Sequence, residues 1–300
     1  MKDKIAGFHL PGLFEFYDFY RLFIPLFKEK REYFYDFADI TSIYGAPDDC
    51  IWGGGRFGYG AAAAKDVLLL LNEYGISGRL TFSNSLLKSE HLADKKCNSL
   101  CREFADSIGV QNGVIVHSDL LLEYLKDNYS GLYFVSSTTK VLTEFEQLHN
   151  EIKREDYSFV VPDFRLNKQF DKLQLLSDEE KSKVEFLCNE CCYVGCKERK
   201  ECYENVSRRM IGESCEEHIC KAPGGESGYL FSKAMQNPMF IGVNDIVERY
   251  LPMGFTNFKI EGRGLGTAVL LEFLLYYMVK PEYHINVREE IYLDSMLDLF

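Results

Sequence analysis

The chain has 300 residues, 46% hydrophobic and 27% charged, with a formal net charge of −12. That is enough apolar material for a large core and too balanced a composition for disorder. The acidic balance, without a basic stripe, argues against nucleic acid as a partner, and no run approaches the roughly 18 apolar residues of a membrane span.

The first residues, MKDKIAGFHLPG, lack the apolar run and small-residue cleavage site of a secretory leader, so a cytoplasmic protein without a membrane partner is expected. From there, short near-continuous apolar runs alternate with helical patterns. Strands are predicted over 5–10, 38–45, 79–83, 114–118, 132–137, 159–164, 184–189 and 257–261. Helices are predicted over 14–34, 61–74, 97–108, 120–127, 144–153, 167–176 and 246–250, with a last one over 267–277. Gly75 reads as a helix C-cap, Ser118 and Thr143 as N-caps, and Ser177 to Glu180 as a capping box. Eight strand-plus-helix units imply an α/β fold, a (β/α)8 TIM-type barrel forming one domain over 1–300. A doubly wound open sheet is the rival, but no glycine-rich dinucleotide fingerprint follows the first strand.

Between the seventh and eighth strands lies a long irregular stretch, 188–240, read as a cysteine-rich metal-binding insertion over the C-terminal face of the barrel. It opens on seven of the ten cysteines: Cys188, Cys191, Cys192, Cys196, Cys202, Cys215 and Cys220. In a reducing compartment such crowding points to metal or catalysis rather than disulfides. Structural zinc usually shows two neat CxxC knuckles, and only Cys188 to Cys191 has that spacing. The irregular surplus of thiols favours an iron–sulfur cluster, 4Fe–4S, with zinc as the alternative. The expected ligands are Cys192, Cys196 and Cys220, with Cys215 fourth; Cys191, Cys202 and His218 are substitutes. Lys197, Arg199, Lys200, Arg208 and Arg209 would offset the thiolate charge. Cys97 and Cys101, four apart on a helix, read as core residues.

Strand C-termini of a barrel face its active site. They offer His9, Tyr44, Asn84, His117, Lys140, Asp163, Arg165, Glu190, Lys259, Glu261 and Arg263. His117 and Glu190 are the acid/base candidates, with Lys259 and Glu261 beside them on the eighth strand. Arg165 and Arg263 could clamp a carboxylate or phosphate, with Asn84, Lys140 and Asp163 as further substrate contacts. The loop 46–56, with three consecutive glycines, could close as a lid carrying Trp52 and Arg56; a turn-rich loop with a packing tryptophan explains it equally well. Lys140 and Lys259 also raise Schiff-base chemistry as a rival, which leaves the cysteines unexplained.

The passage Glu185-Phe-Leu-Cys-Asn-Glu-Cys-Cys-Tyr-Val-Gly-Cys196, followed by Phe258-Lys-Ile-Glu-Gly-Arg263, resembles the collagenase-like peptidase family, peptidase family U-thirty-two. The resemblance implies a barrel over most of the chain and a 4Fe–4S cluster on four cysteines. It also implies, from several relatives, oxygen-independent hydroxylation. The leading expectation is an iron–sulfur-dependent enzyme acting on a small anionic or aromatic substrate, with an electron donor as a possible partner. A non-catalytic, metal-stapled barrel binding a ligand or partner protein is the second. A peptidase is the third, without a visible Ser/His/Asp or His-Glu-x-x-His arrangement in the sequence.

Overall fold

A computed structural model describes residues 4–54, 60, 62–216, 218–225 and 228–297. Eight strands run parallel: β1 (Ala6–Pro11), β2 (Ala38–Gly45), β3 (Ser77–Phe82), β4 (Gly113–Val116), β5 (Tyr133–Ser136), β6 (Phe159–Val160), β7 (Glu185–Leu187) and β8 (Asn257–Lys259). Their order, β6-β5-β4-β3-β2-β1-β8-β7, is that of consecutive right-wound units laid side by side. One parallel bridge between Val160 and Val184 joins the two edges, so the sheet comes round as a barrel.

The intervening helices are α1 (Tyr17–Glu29), α2 (Ala64–Tyr74), α3 (Lys95–Ala105), α4 (Asp119–Asn128), α5 (Phe145–Ile152), α6 (Phe170–Leu173) and α7 (Asp178–Lys183). After β7 come α8 (Arg199–Met210), α9 (Phe231–Met235), α10 (Val243–Asp245), a π turn (Ile246–Tyr250) and α11 (Leu251–Met253). After β8 come α12 (Thr267–Met278) and α13 (His284–Leu297). One buried apolar cluster extends from Ala6 to Ile291, between the strands and the helices wrapped round them.

Local chemistry accounts for most boundaries. Gly75 ends α2 in the left-handed region, φ +69°. The Ser118 hydroxyl accepts from the Leu121 amide, and Ser177 with Glu180 forms the expected capping box on α7. At α5 the cap is Glu144 rather than Thr143. Strand β6 stops at Val160, short of the predicted 164: Pro162 has no amide to donate, and Asp163 turns the chain by accepting from the Arg165 amide.

Three helices, α8, the five-residue α9 and α13, were not anticipated. Along α8 only Arg199 and Ser207 are buried, so it has no apolar stripe to recognise. Helix α13 packs on α1 with the pair Val287 and Ile291, one turn apart.

Candidate active site at the barrel mouth

The barrel interior is charged where apolar layers are usual. Glu185 on β7, Arg79 on β3, His9 on β1 and Lys259 on β8 project inward and are essentially solvent-free. Glu185 anchors the group: its Oε2 accepts from the Arg79 guanidinium at 2.5 Å and its Oε1 from the Lys259 ammonium at 2.9 Å. Arg79 also donates to the Tyr133 hydroxyl at 2.7 Å and lies 4.5 Å from the Phe159 ring centre. The Lys259 ammonium stands 3.8 Å above the centre of Tyr44. Nδ1 of His9 is 2.7 Å from the Ser42 hydroxyl, and its Nε2 is 3.6 Å from Glu185 Oε2.

These neighbours set the ionisation. Burial lowers His9 to about 3, helped by Arg79, so the imidazole is neutral. Burial alone would raise the Glu185 carboxyl, but Arg79 above all, with Lys259, holds it well below the usual carboxylate range. Burial brings the Lys259 ammonium down to about 8, with Arg79 and Arg263 adding to the fall and Glu185 opposing it.

Directly above lies a cavity of about 60 Å3 at the C-terminal ends of the strands. By the volume one ordered water requires, it has room for about four waters or one small planar anion. Tyr44, Thr81, Ser83, Thr139, Lys259, Glu261 and Arg263 line it, with Tyr203 reaching in from α8. Arg263 donates to the Thr81 hydroxyl at 2.9 Å, and Tyr44 donates to the Ile260 carbonyl at 2.6 Å. The Glu261 amide donates to Asn189 Oδ1 at 2.7 Å, which fixes the backbone from which Glu261 and Arg263 extend.

Beside the cavity a second charged group fastens the insertion. Arg199, the first residue of α8, donates to Glu190 Oε2 at 2.9 Å and stands 3.4 Å from Asp163 Oδ2. Asp163 holds Arg165 at 2.6 Å, and Arg165 donates to the Cys196 carbonyl at 3.0 Å. Glu190 Oε1 accepts from the Cys192 amide at 2.9 Å. Burial pushes the Cys192 thiol up to about 11, with Arg199 pulling it back and Glu190 and Cys196 adding to the rise.

The residues expected at the mouth therefore separate. Lys259, Glu261 and Arg263 share the cavity. Glu190, Asp163 and Arg165 hold the insertion in place and are not among the cavity lining, so the expected acid/base use of Glu190 beside Arg263 gives way to a clamp on α8. His117 stands one step back, with Nδ1 2.9 Å from the cavity-lining Thr139 hydroxyl, and burial, with Lys140 and Lys200, lowers it to about 4. Lys140 is held by Glu151 at 2.6 Å and the Tyr157 hydroxyl at 3.0 Å, outside the cavity lining. Trp52 packs wholly buried against Phe82, its indole N–H donating to the His91 carbonyl at 2.8 Å, which makes it a core residue and not a lid. Asn84 donates to the Ile51 and Ser207 carbonyls, tying the β2–α2 loop and α8 to the end of β3. Arg56 lies outside the described residues.

Of the expected metal ligands, Cys192 and Cys196 are neighbours close enough to act on each other electrostatically. Cys215 instead sits on Asn205, 3.6 Å from its amide nitrogen, and Cys220 is exposed. Among the described residues no three Cys, His, Asp or Glu side chains converge as a metal-binding group. As placed, the thiols do not form a four-cysteine set.

Sequence reasoning missed Glu185 and Arg79, and gave Arg199 only as a charge offsetting the thiolates, not as the clamp on Glu190 and Asp163. A signal for the first two was present: one charged residue inside each of the apolar runs Val184-Glu-Phe-Leu and Arg79-Leu-Thr-Phe, matching Lys259 in Phe258-Lys-Ile. A charge in a strand covered on both faces needs an opposite charge across the barrel.

Fold and mouth together define a (β/α)8-type barrel protein with a small charged cavity at the catalytic face of that architecture. No protein-family model matches the chain. No curated protein gives a significant match. Among solved structures the chain is similar to that of the U32 peptidase Mk0906, with a TM-score of 0.49 and 14% identity over 87% of this chain and 93% of that one. Among the described residues no helix is long and apolar enough to cross a membrane.

Proposed function

We propose that this protein is an enzyme whose substrate is a small anion held in the barrel-mouth cavity. The observation that carries this reading is that two basic side chains, Lys259 and Arg263, line one small cavity together with several hydroxyls. A carboxylate or similar anion entering there meets both cations where the low dielectric makes the attraction strong. The hydroxyls of Thr81, Ser83 and Thr139 supply orientation. Titration calorimetry with small carboxylates and their neutral amides tests it. Anions should bind and amides should not, and Arg263→Gln should weaken binding at least about tenfold, as expected for a lost charged hydrogen bond. Equal binding of the amides would sink the reading.

A second reading adds redox chemistry: an iron–sulfur cluster on Cys192, Cys196, Cys215 and Cys220, oxygen-independent hydroxylation of the substrate and an external electron donor. The family resemblance and the pairing of Cys192 with Cys196 beside Arg199 support it. The cluster would supply electrons or an open iron. Cys215 and Cys220 would have to leave their present positions, so no reaction step is derived through it. Anaerobic purification with iron and zinc analysis tests it, and a Cys192→Ser protein that keeps its full metal content would rule out this ligand set. Anion binding without turnover and without metal would favour a non-catalytic binding barrel.

A further inference from the structure

We propose that Lys259 is a nucleophile for carbonyl compounds, forming an imine with a small 2-oxo acid whose carboxylate is held by Arg263. This rests on the anion site described above and names the class of substrate it takes. Lys259 is the amine at the cavity floor, and Arg263 is four residues further along, on the loop that leaves the same strand. A molecule bearing a carboxylate next to a carbonyl can meet both, and the cavity limits it to a few heavy atoms. Lys140, the other candidate amine, is taken up by Glu151 and Tyr157.

The surroundings favour the neutral amine that attack requires. Glu185 must serve Arg79 at 2.5 Å as well as Lys259 at 2.9 Å, so the ammonium shares one carboxylate with a permanent cation. His9 faces the same carboxylate but is neutral, and Arg263 adds positive charge from above. Tyr44 covers one side of the ammonium with its ring, Tyr133 is occupied by Arg79, and Glu261 lies in the cavity wall. Lysines desolvated beside another cation are activated in this way.

The step balances without an oxidant or reductant. Lys259 first releases its ammonium proton to water. The nitrogen lone pair then forms a bond to the carbonyl carbon, and the carbon–oxygen π pair moves to oxygen, which takes up a proton from water as the nitrogen gives one to water. The resulting neutral carbinolamine loses its hydroxyl together with its remaining nitrogen proton as water. The product is an imine, with one water released.

The test uses the full chain, glyoxylate and cyanoborohydride at pH 7.5, with peptide mass spectrometry locating the carboxymethylated lysines. Lys259 should be modified at least about tenfold faster than an exposed lysine such as Lys221, whose side chain is 81% exposed, because a larger share of it is neutral. Arg263→Gln should slow modification of Lys259 by glyoxylate about tenfold, as for a lost charged hydrogen bond, while formaldehyde, which has no carboxylate, should react as before. Glyoxylate binding seen by calorimetry without modification of Lys259 would overturn the imine and leave the anion site standing. Neither binding nor modification would overturn both. The wild-type measurement needs no variant, so a Lys259→Arg protein that fails to fold leaves the test intact.

Discussion

Glu185 ties its strand to two others, because the Arg79 cation from β3 across the barrel and the Lys259 cation from the adjacent β8 end on its two oxygens inside a dry barrel. Removing its charge leaves Arg79 and Lys259 facing each other without compensation. Glu185→Gln should therefore lose about 3–5 kcal/mol in urea unfolding, the range for breaking one member of a buried ion pair. The same residues set the pH response. His9 has a folded value of about 3 against an ordinary 6.5, so between those limits the unfolded chain binds a proton that the folded one refuses. Stability must fall as pH drops through that window, and Glu185, held low when folded, adds to the loss below its ordinary value of 4.5. Denaturation midpoints of the wild type should decline from pH 6.5 downward, and His9→Gln should flatten the part of the decline above about pH 4.5. At the alkaline end the sign is the same: between about 8 and 10.5 Lys259 makes stability rise with pH, since only the unfolded state holds its proton. The sequence showed Lys259 and Arg263 as mouth residues because they end a recognisable strand. It did not reveal that Glu185 and Arg79 meet, since that pairing spans 106 positions and depends on which residues of each strand turn inward.

Among elements, the strands were legible and the helix of the insertion was not, and burial explains both. Each long strand buries both faces and so reads as an apolar run. Helix α8 is held by polar bonds at its two buried residues, Arg199 to Glu190 and Asp163, and Ser207 to Asn84 and Ser85. No hydropathy pattern records such a helix. The clamp has a measurable consequence: Arg199→Ala takes the arginine away from the buried Glu190 carboxylate, while Asp163 keeps Arg165, and should destabilise the protein by about 3 kcal/mol. Limited proteolysis should then cut within 190–230 before the barrel itself. The β2–α2 loop reaches the mouth through a close approach at Gly54, where any Cβ would collide with the backbone of Ser83 and Asn84. Gly54→Ala should lift this loop from β3 and release the Asn84 bond to Ile51. Faster amide exchange over 46–54 with a nearly unchanged global unfolding free energy would confirm a local effect.

For the molecule as a whole, the barrel is closed unevenly. Strands β1 to β5 are joined by ladders of four or more paired residues, whereas β6 contributes two residues to its pairing with β5 and a single bridge to the opposite side. Hydrogen exchange should accordingly find the Phe159–Val161 and Val184–Leu187 amides less protected than those of β1 to β3; equal protection would show that side-chain packing, not the ladder, holds the seam. Eight-fold alternation made this architecture readable, but a seam set by Pro162 and by the short β6 could be seen only with the strands in place.

The fastening of α8 to β3 also has a consequence for the order of assembly. The insertion starts at the seventh strand yet is bolted to the third, so it lies across the mouth as a strap whose two anchor points are separated by more than a hundred residues of chain. During synthesis the first seven strands leave the ribosome before the strap does, and Lys259 emerges later still. Strand β7, which carries Glu185, has its ladder with β8 and only a single bridge to β6, so the carboxylate, its two cations and the strap come to rest together once the last strand arrives.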